Sequence, residues 1–169
     1  MLAATLRQDR TDKMASTPGL KALETLGVQV TLHPYDYDPN ADAVGLAAAA
    51  ALGLDPGRTL KCLMVEVDGK PACCVIPSDR QLSMKKVAAA FGAKSAAMMP
   101  PAKAERQTGY KVGGISPFGQ KKRVPTAIEA SACGFDRIWI NAGARGLLLG
   151  IAPADALRAS GATAQPLIA

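Results

Sequence analysis

Two apolar runs, Leu60–Val67 and Pro71–Pro77, are separated by the dipeptide Asp68-Gly69. Asp-Gly between such runs is a strong hairpin signal, because both central residues of a two-residue turn need positive φ. Strands joined this way are antiparallel, so a wholly parallel sheet is excluded. Strict alternation places Lys61 on the face that carries Leu63, Val65 and Val67, with Glu66 on the other. A cation on that apolar face must either snorkel to the rim of the sheet or meet an anionic or carbonyl partner, since burying it unpaired is costly. The second alternative makes Lys61 a hydrogen-bond donor at the mouth of a pocket.

The rest of the chain surrounds the hairpin with helices and short strands. Ser16-Thr17-Pro18 followed by Leu20, Leu23 and Leu26 predicts a capped helix that Gly27 ends. Val28–Tyr35 alternates as a strand and runs into a stiff loop containing His33, Tyr35 and Tyr37. Either tyrosine faces a ligand or packs on the strand end; His33 has no accompanying nucleophile motif. An alanine-rich helix is expected over Asp42–Leu52, with Asp42 as cap and Gly53 as stop. Ser83 caps a helix that ends at Gly92, with Lys85 and Lys86 on its solvated face. Ser95–Met99 predicts a short strand and Pro101–Gln107 a short helix. Strands are expected at Val124–Ile128, Arg137–Asn141, Leu147–Ile151 and Thr163–Ile168, and a helix at Pro153–Ser160. The order predicts an α/β (α+β) fold: a mixed, largely antiparallel sheet flanked by helices.

One loop stands apart. Gly109–Arg123 holds four glycines, Pro117 and four cations, ending in Lys121-Lys122-Arg123. Free N–H groups at Gly113 and Gly114, with Ser116 and the cations, suit a phosphate or carbonyl ligand; a sharp turn with a solvated basic tail explains the same residues. The phosphate-binding P-loop is excluded, because Gln120 rather than lysine follows Gly119 and Pro125 opposes a helix. Neither a G-x-G-x-x-G dinucleotide fingerprint after a strand nor a G-x-S-x-G elbow is present.

Aromatic residues make up only 4% of the chain, so Ala, Val, Leu, Ile and Met must build the core. At 169 residues a single domain is expected. The formal charge of +6 tilts towards a polyanionic partner. No apolar run is long enough to cross a bilayer. Five charges between Arg7 and Lys13 oppose a signal-peptide core, so residues 1–15 are expected to be a disordered leader and 16–169 the domain. Cys62, Cys73, Cys74 and Cys133 form no C-x-x-C pair and His33 is the lone histidine, so no metal site or cofactor is expected; the cysteines read as reduced thiols of a cytoplasmic protein.

Four stretches together resemble the YbaK-type aminoacyl-tRNA deacylases, relatives of the editing domain of bacterial prolyl-tRNA synthetase. They are Thr17-Pro18, Lys61 within Thr59–Leu63, Leu82–Val87, and Thr108–Lys122 with its Gly-Gly-Ile-Ser-Pro block. The resemblance covers about residues 16–168 and is closest to the Cys-tRNA(Pro) deacylase branch. It implies a sheet curled into a partial barrel and hydrolysis of the ester joining a mischarged amino acid to the tRNA 3′ end. Lys61 matches the family's functional lysine, Gly113 and Pro117 its G-x-x-x-P loop, and Tyr35 a pocket tyrosine. Gly114, Ile115, Ser116 and Asn141 are expected to complete the substrate site, with Lys121, Lys122 and Arg123 on tRNA phosphates. In the cysteine-specific branch the substrate's own thiol is proposed to attack the ester, so the protein positions and stabilises charge. The partners implied are aminoacyl-tRNA and prolyl-tRNA synthetase. The family pattern often carries Ser at the position of Asn141, Asp at that of Leu148 and, in some relatives, an aromatic at that of Val44. These departures open one alternative, a deacylase for another small amino acid; the basic loop alone would suffice for a second, a non-catalytic tRNA- or synthetase-binding module.

Overall fold

The computed structural model describes residues 16–169; the leader expected at 1–15 lies outside them. The hairpin forms as the turn chemistry requires, with Asp68 at φ 47° and Gly69 at φ 79°. It joins β2 (Leu60–Val67) to β3 (Lys70–Pro77), in register from Leu60 opposite Pro77 to Val67 opposite Lys70. β4 (Ala96–Met98) pairs antiparallel with β2, but only along Val65–Val67. On the far side β5 (Thr126–Glu129) runs parallel to β3, and β8 (Thr163–Gln165) parallel to β5. A second, three-stranded antiparallel sheet orders β1 (Thr31–Pro34), β7 (Leu147–Ile151) and β6 (Ile138–Ala144). The two sheets meet at one parallel bridge between Thr59 and Trp139. The fold is thus mixed α+β, with antiparallel pairs in the majority.

Burial follows the strand period. Leu60 and Met64 of β2, with Cys73 and Val75 of β3, join the main core formed with Ile138, Ile140, Leu147 and Leu149. Val65, Val67, Cys74 and Ile76 face the other way, towards Val87 and Leu167. Lys61 shares this second parity with Leu63, as alternation predicts.

Helix α1 (Pro18–Thr25) starts on Thr17, whose side chain accepts from the Leu20 amide and donates to Ala142 O at 2.7 Å. Helix α2 (Val44–Leu52) ends at Gly53 in the left-handed region, but Asp42 does not cap it: Ala43 holds the cap position with no side-chain bond. Helices α3 (Met84–Ala90), capped by Ser83, α4 (Pro101–Thr108) and α5 (Pro153–Ser160) match their sequence signals. Two strands are shorter than expected for one reason. Pro125 and Pro166 lack an N–H for the ladder, so β5 begins after the first and β8 ends before the second. β1 is also shorter, starting at Thr31 because Val28 still closes α1 through its bond to Leu23 O. A 3-10 turn over Ala130–Gly134, unforeseen, is capped by the buried Glu129.

The glycine-rich loop packs between α1 and β6. The Tyr110 hydroxyl donates to Phe118 O at 2.6 Å, and Phe118 is fully buried in the main core. Gly119 sits so close to α1 that a Cβ would lie 2.5 Å from the Pro18 carbonyl carbon. The loop is therefore clamped at its centre rather than free.

Candidate functional site

The site lies where the two sheets part. At Thr59 strand β2 is bridged to β6, and at Met64 its carbonyl accepts from Met99 N at 3.1 Å. Between these points no strand among the described residues pairs with the outer edge of β2. Pro100 and Pro101 explain the gap: β4 stops, α4 begins, and neither proline has an amide to offer. A cavity of about 320 Å³ opens there. Five consecutive residues, Leu60 to Met64, border it, which a strand achieves only with its edge, since its faces alternate.

The walls are apolar and rich in sulfur: Cys62, Met64, Met98 and Met99, with Leu148 and Ile115 opposite. Helix α2 closes one side through Val44, Gly45 and Ala48. Gly45 is required there, because a Cβ would lie 2.9 Å from that of Ser78. Among the described residues Lys61 is the single charged one in the lining, and no Asp, Glu or His borders the cavity. Its Nζ makes one long contact, to Ser78 O at 3.4 Å, and is in none of the ion pairs among the described residues. Burial draws its pKa below that of a free lysine, partly offset by Asp79. An ammonium with so few partners is ready to donate to a ligand oxygen.

Tyr35, Gly113, Ile115 and Asn141 border the same cavity. Burial raises the Tyr35 phenol. Asn141 supports the wall more than it reaches into the space. Its Oδ1 accepts from Gly143 N and Ala144 N, across a bulge in β6, and its Nδ2 donates to Gly113 O at 3.2 Å. Gly113 adopts φ 90°, and Tyr37 lies against it.

The other loop residues are not in the lining. Gly114 backs onto Ala144-Arg145, where a Cβ would lie 2.9 Å from Arg145 N. Ser116 is fully buried; its Oγ accepts from Phe118 N and its carbonyl from Gln120 Nε2, so it organises the loop from within. Pro117 faces a second cavity of about 340 Å³ against α1 and α5. Lys121, Lys122 and Arg123 are exposed and none borders the Lys61 cavity; Arg123 lines the second one. The expected phosphate grip is thus separate from the pocket, because the buried Ser116–Phe118 segment turns the chain away. His33 also lies elsewhere: its Nε2 accepts from Trp139 Nε1 at 3.3 Å, and burial together with Arg137 lowers its pKa.

What the sequence reading missed is the unpaired edge of β2 and the methionines that face it. The signal was present in Pro100-Pro101, which follow Met99 just past a strand of three residues. The four cysteines are free thiols, as expected. Cys62 Sγ lies 3.2 Å from Cys73 Sγ, and that contact together with burial raises the Cys62 thiol well above its ordinary value. Among the described residues no His, Cys, Asp and Glu group has metal-site geometry, and no helix is long and apolar enough to cross a membrane.

The class defined so far is a mixed-sheet α+β domain with a small apolar cavity that holds one lysine beside a glycine-rich wall. The comparisons narrow this class. Residues 38–159 match the aminoacyl-tRNA editing domain family, and the chain belongs to it. A relative from Enterococcus faecalis, provisionally named Cys-tRNA(Pro)/Cys-tRNA(Cys) deacylase EbsC, is 39% identical over 128 residues, 74% of this chain and 77% of its own. The uncharacterised Bacillus subtilis protein YwhH is 27% identical over 109 residues, 64% of this chain and 69% of its own. A crystal structure provisionally described as a trans-editing enzyme for prolyl-tRNA synthetase superposes with TM-score 0.76 at 22% identity, covering 90% of this chain and 95% of that one. That likeness supports the fold alone.

Proposed function

We propose that this protein is a cytoplasmic trans-editing deacylase that hydrolyses the ester of mischarged aminoacyl-tRNA, Cys-tRNA(Pro) foremost, alongside prolyl-tRNA synthetase. The observation that carries the proposal is Lys61: one sparsely bonded ammonium in an apolar, sulfur-lined cavity large enough for a small amino acid. The neighbouring thiol and thioethers suit a soft side chain such as that of cysteine. An ester is already activated, so orientation and donors aimed at the developing oxyanion suffice. With Cys-tRNA, the substrate thiol adds to the carbonyl carbon and the ribose oxygen leaves with the proton the thiol loses. Water then opens the resulting thiolactone.

Leu148 favours a second reading, a deacylase for another small amino acid. It stands opposite Asn141 in the β6–β7 register, only 4% exposed, and offers the substrate ammonium no acceptor. A panel of tRNAs charged with Cys, Ala, Ser and Pro separates the readings. Preferential release of Cys, lost when the substrate thiol is absent, supports the first; equal release of Ala or Ser supports the second. Binding without turnover of any member refutes both and leaves a tRNA-binding module.

A further inference from the structure

We propose that the backbone amide of Cys62 is a second oxyanion donor beside Lys61. The inference rests on the deacylase reading and deepens it. The direction of that amide follows from three features of β2 and its neighbours. The two-residue turn makes Val67 and Lys70 the closing hydrogen-bonded pair, so residues of odd number in β2 bond to β3. Pro71, which has no N–H, stands opposite Glu66, where no bond to β2 is needed. Met64, of even number, directs its carbonyl outward to Met99 N. Cys62, two residues earlier, therefore points its N–H and C=O to the same outer edge. The β4 register, if continued, would set Pro101 opposite Cys62, but Pro101 has no N–H and begins α4. The edge groups of Cys62 consequently meet the cavity instead of a strand.

The glycine-rich loop is a poorer source of donors than its composition implies. Gly114 N already donates to Lys111 O at 2.8 Å, Val112 N to Glu105 Oε2 at 2.9 Å, and Phe118 N to Ser116 Oγ at 3.2 Å. Lys61 and Cys62 both border the cavity, so its β2 side carries both donors. As the nucleophile's lone pair forms its bond to the ester carbon, the carbonyl π pair moves onto oxygen. Lys61 Nζ and Cys62 N–H hold that oxyanion. Its collapse restores the carbonyl and expels the ribose oxygen, which takes the proton lost by the nucleophile. A backbone donor costs no reorganisation during this step.

The test replaces the amide with an ester. Lactic acid placed at position 62 by nonsense suppression removes the N–H, and Cys62→Ala, with the same side chain and an intact amide, is its reference. We expect kcat on Cys-tRNA(Pro) to fall about a hundredfold relative to C62A, with KM changed little. An ester variant that turns over like C62A overturns the proposal. Should the ester variant fail to fold, the ¹⁵N-labelled wild-type amide decides. Adenosine carrying a 3′-aminoalkylphosphonate, a tetrahedral oxyanion mimic, must move the Cys62 amide proton downfield; a shift confined to other residues refutes the donor. Wild type and C62A that turn over no member of the charged panel would overturn the deacylase reading itself, whatever the amide does with the mimic.

Discussion

Replacing Lys61 with methionine keeps the apolar stem and removes the ammonium, and the geometry gives activity and stability different responses. One donor to a developing oxyanion contributes about 10²–10³ in kcat, or roughly 3–4 kcal/mol of barrier. On the stability side Lys61 has, among the described residues, no ion pair and a single 3.4 Å contact to Ser78 O, so little is lost with it. Burial lowers its pKa in the folded state, which means that the fold disfavours the charge it carries at neutral pH. The sign follows: where both states are protonated the charge is a cost, which begins to shrink as pH passes the lowered folded value and is gone above the unfolded one. K61M is therefore expected to unfold at the wild-type temperature or above it while losing at least a hundredfold in deacylation of Cys-tRNA(Pro). The assay pairs initial rates at pH 7 with a thermal melt of the same preparation. The wild-type rate must also begin to fall, on the alkaline side, below the 10.5 of a free lysine, after subtraction of spontaneous ester hydrolysis. Lys61→Arg moves that limb upward. Full activity in K61M refutes Lys61 as donor, and parallel loss of activity and melting temperature makes it a structural residue.

Gly113→Ala sets a Cβ 2.6 Å from Tyr37 Oη at φ 90°, so the loop wall must shift. We expect about 1–2 kcal/mol of destabilisation in a chemical melt and a raised KM, with Tyr37→Ala restoring only the steric part. Glu129 accepts from the amides of Leu167, Ile168 and Ser131; burial alone would raise its carboxyl, but these bonds together hold it below 4.5. Its stabilisation is thus complete above the unfolded value and lost as pH falls through the folded one. Glu129→Gln is expected to cost about 2–3 kcal/mol at pH 7 and to flatten the acid limb of an unfolding-versus-pH curve. Burial raises the Cys74 thiol to about 12, so iodoacetamide at pH 8 should label it only after denaturation. Rapid labelling of the native protein, mapped by mass spectrometry, would contradict its burial.

Local structure was legible wherever one residue's stereochemistry decides it. Asp68-Gly69 closes its hairpin, Thr17-Pro18 opens α1, and Gly53, Gly109 and Gly161 end their helices in the left-handed region. Asp42 failed as a cap because capping depends on where the chain enters the helix, and α2 enters at Ala43. The site was legible by residue type and not by arrangement. Lys61, Tyr35, Gly113, Ile115 and Asn141 do converge, whereas Ser116 and Lys121–Arg123, adjacent to them in sequence, do not. Glycines and cations in one loop say that a backbone is accessible somewhere; they do not say which of its amides the loop itself will occupy. Here the loop bonds several of its own and acts as a wall.

The free donor group arises instead in the most regular part of the chain. A strand exposes amides only where its neighbour ends, and what ends β4 is Pro100-Pro101, some forty residues from Cys62 in the sequence. A general test follows from this geometry. Pro101→Ala supplies the missing N–H opposite Cys62 without filling the cavity. If β4 extends by one pair, the edge of β2 is sealed, hydrogen exchange at Cys62 slows, and deacylation falls although Lys61 is untouched. If α4 holds its start, exchange and rate both stay at the wild-type level. Slowed exchange with an undiminished rate is the one combination that the edge-donor account does not survive.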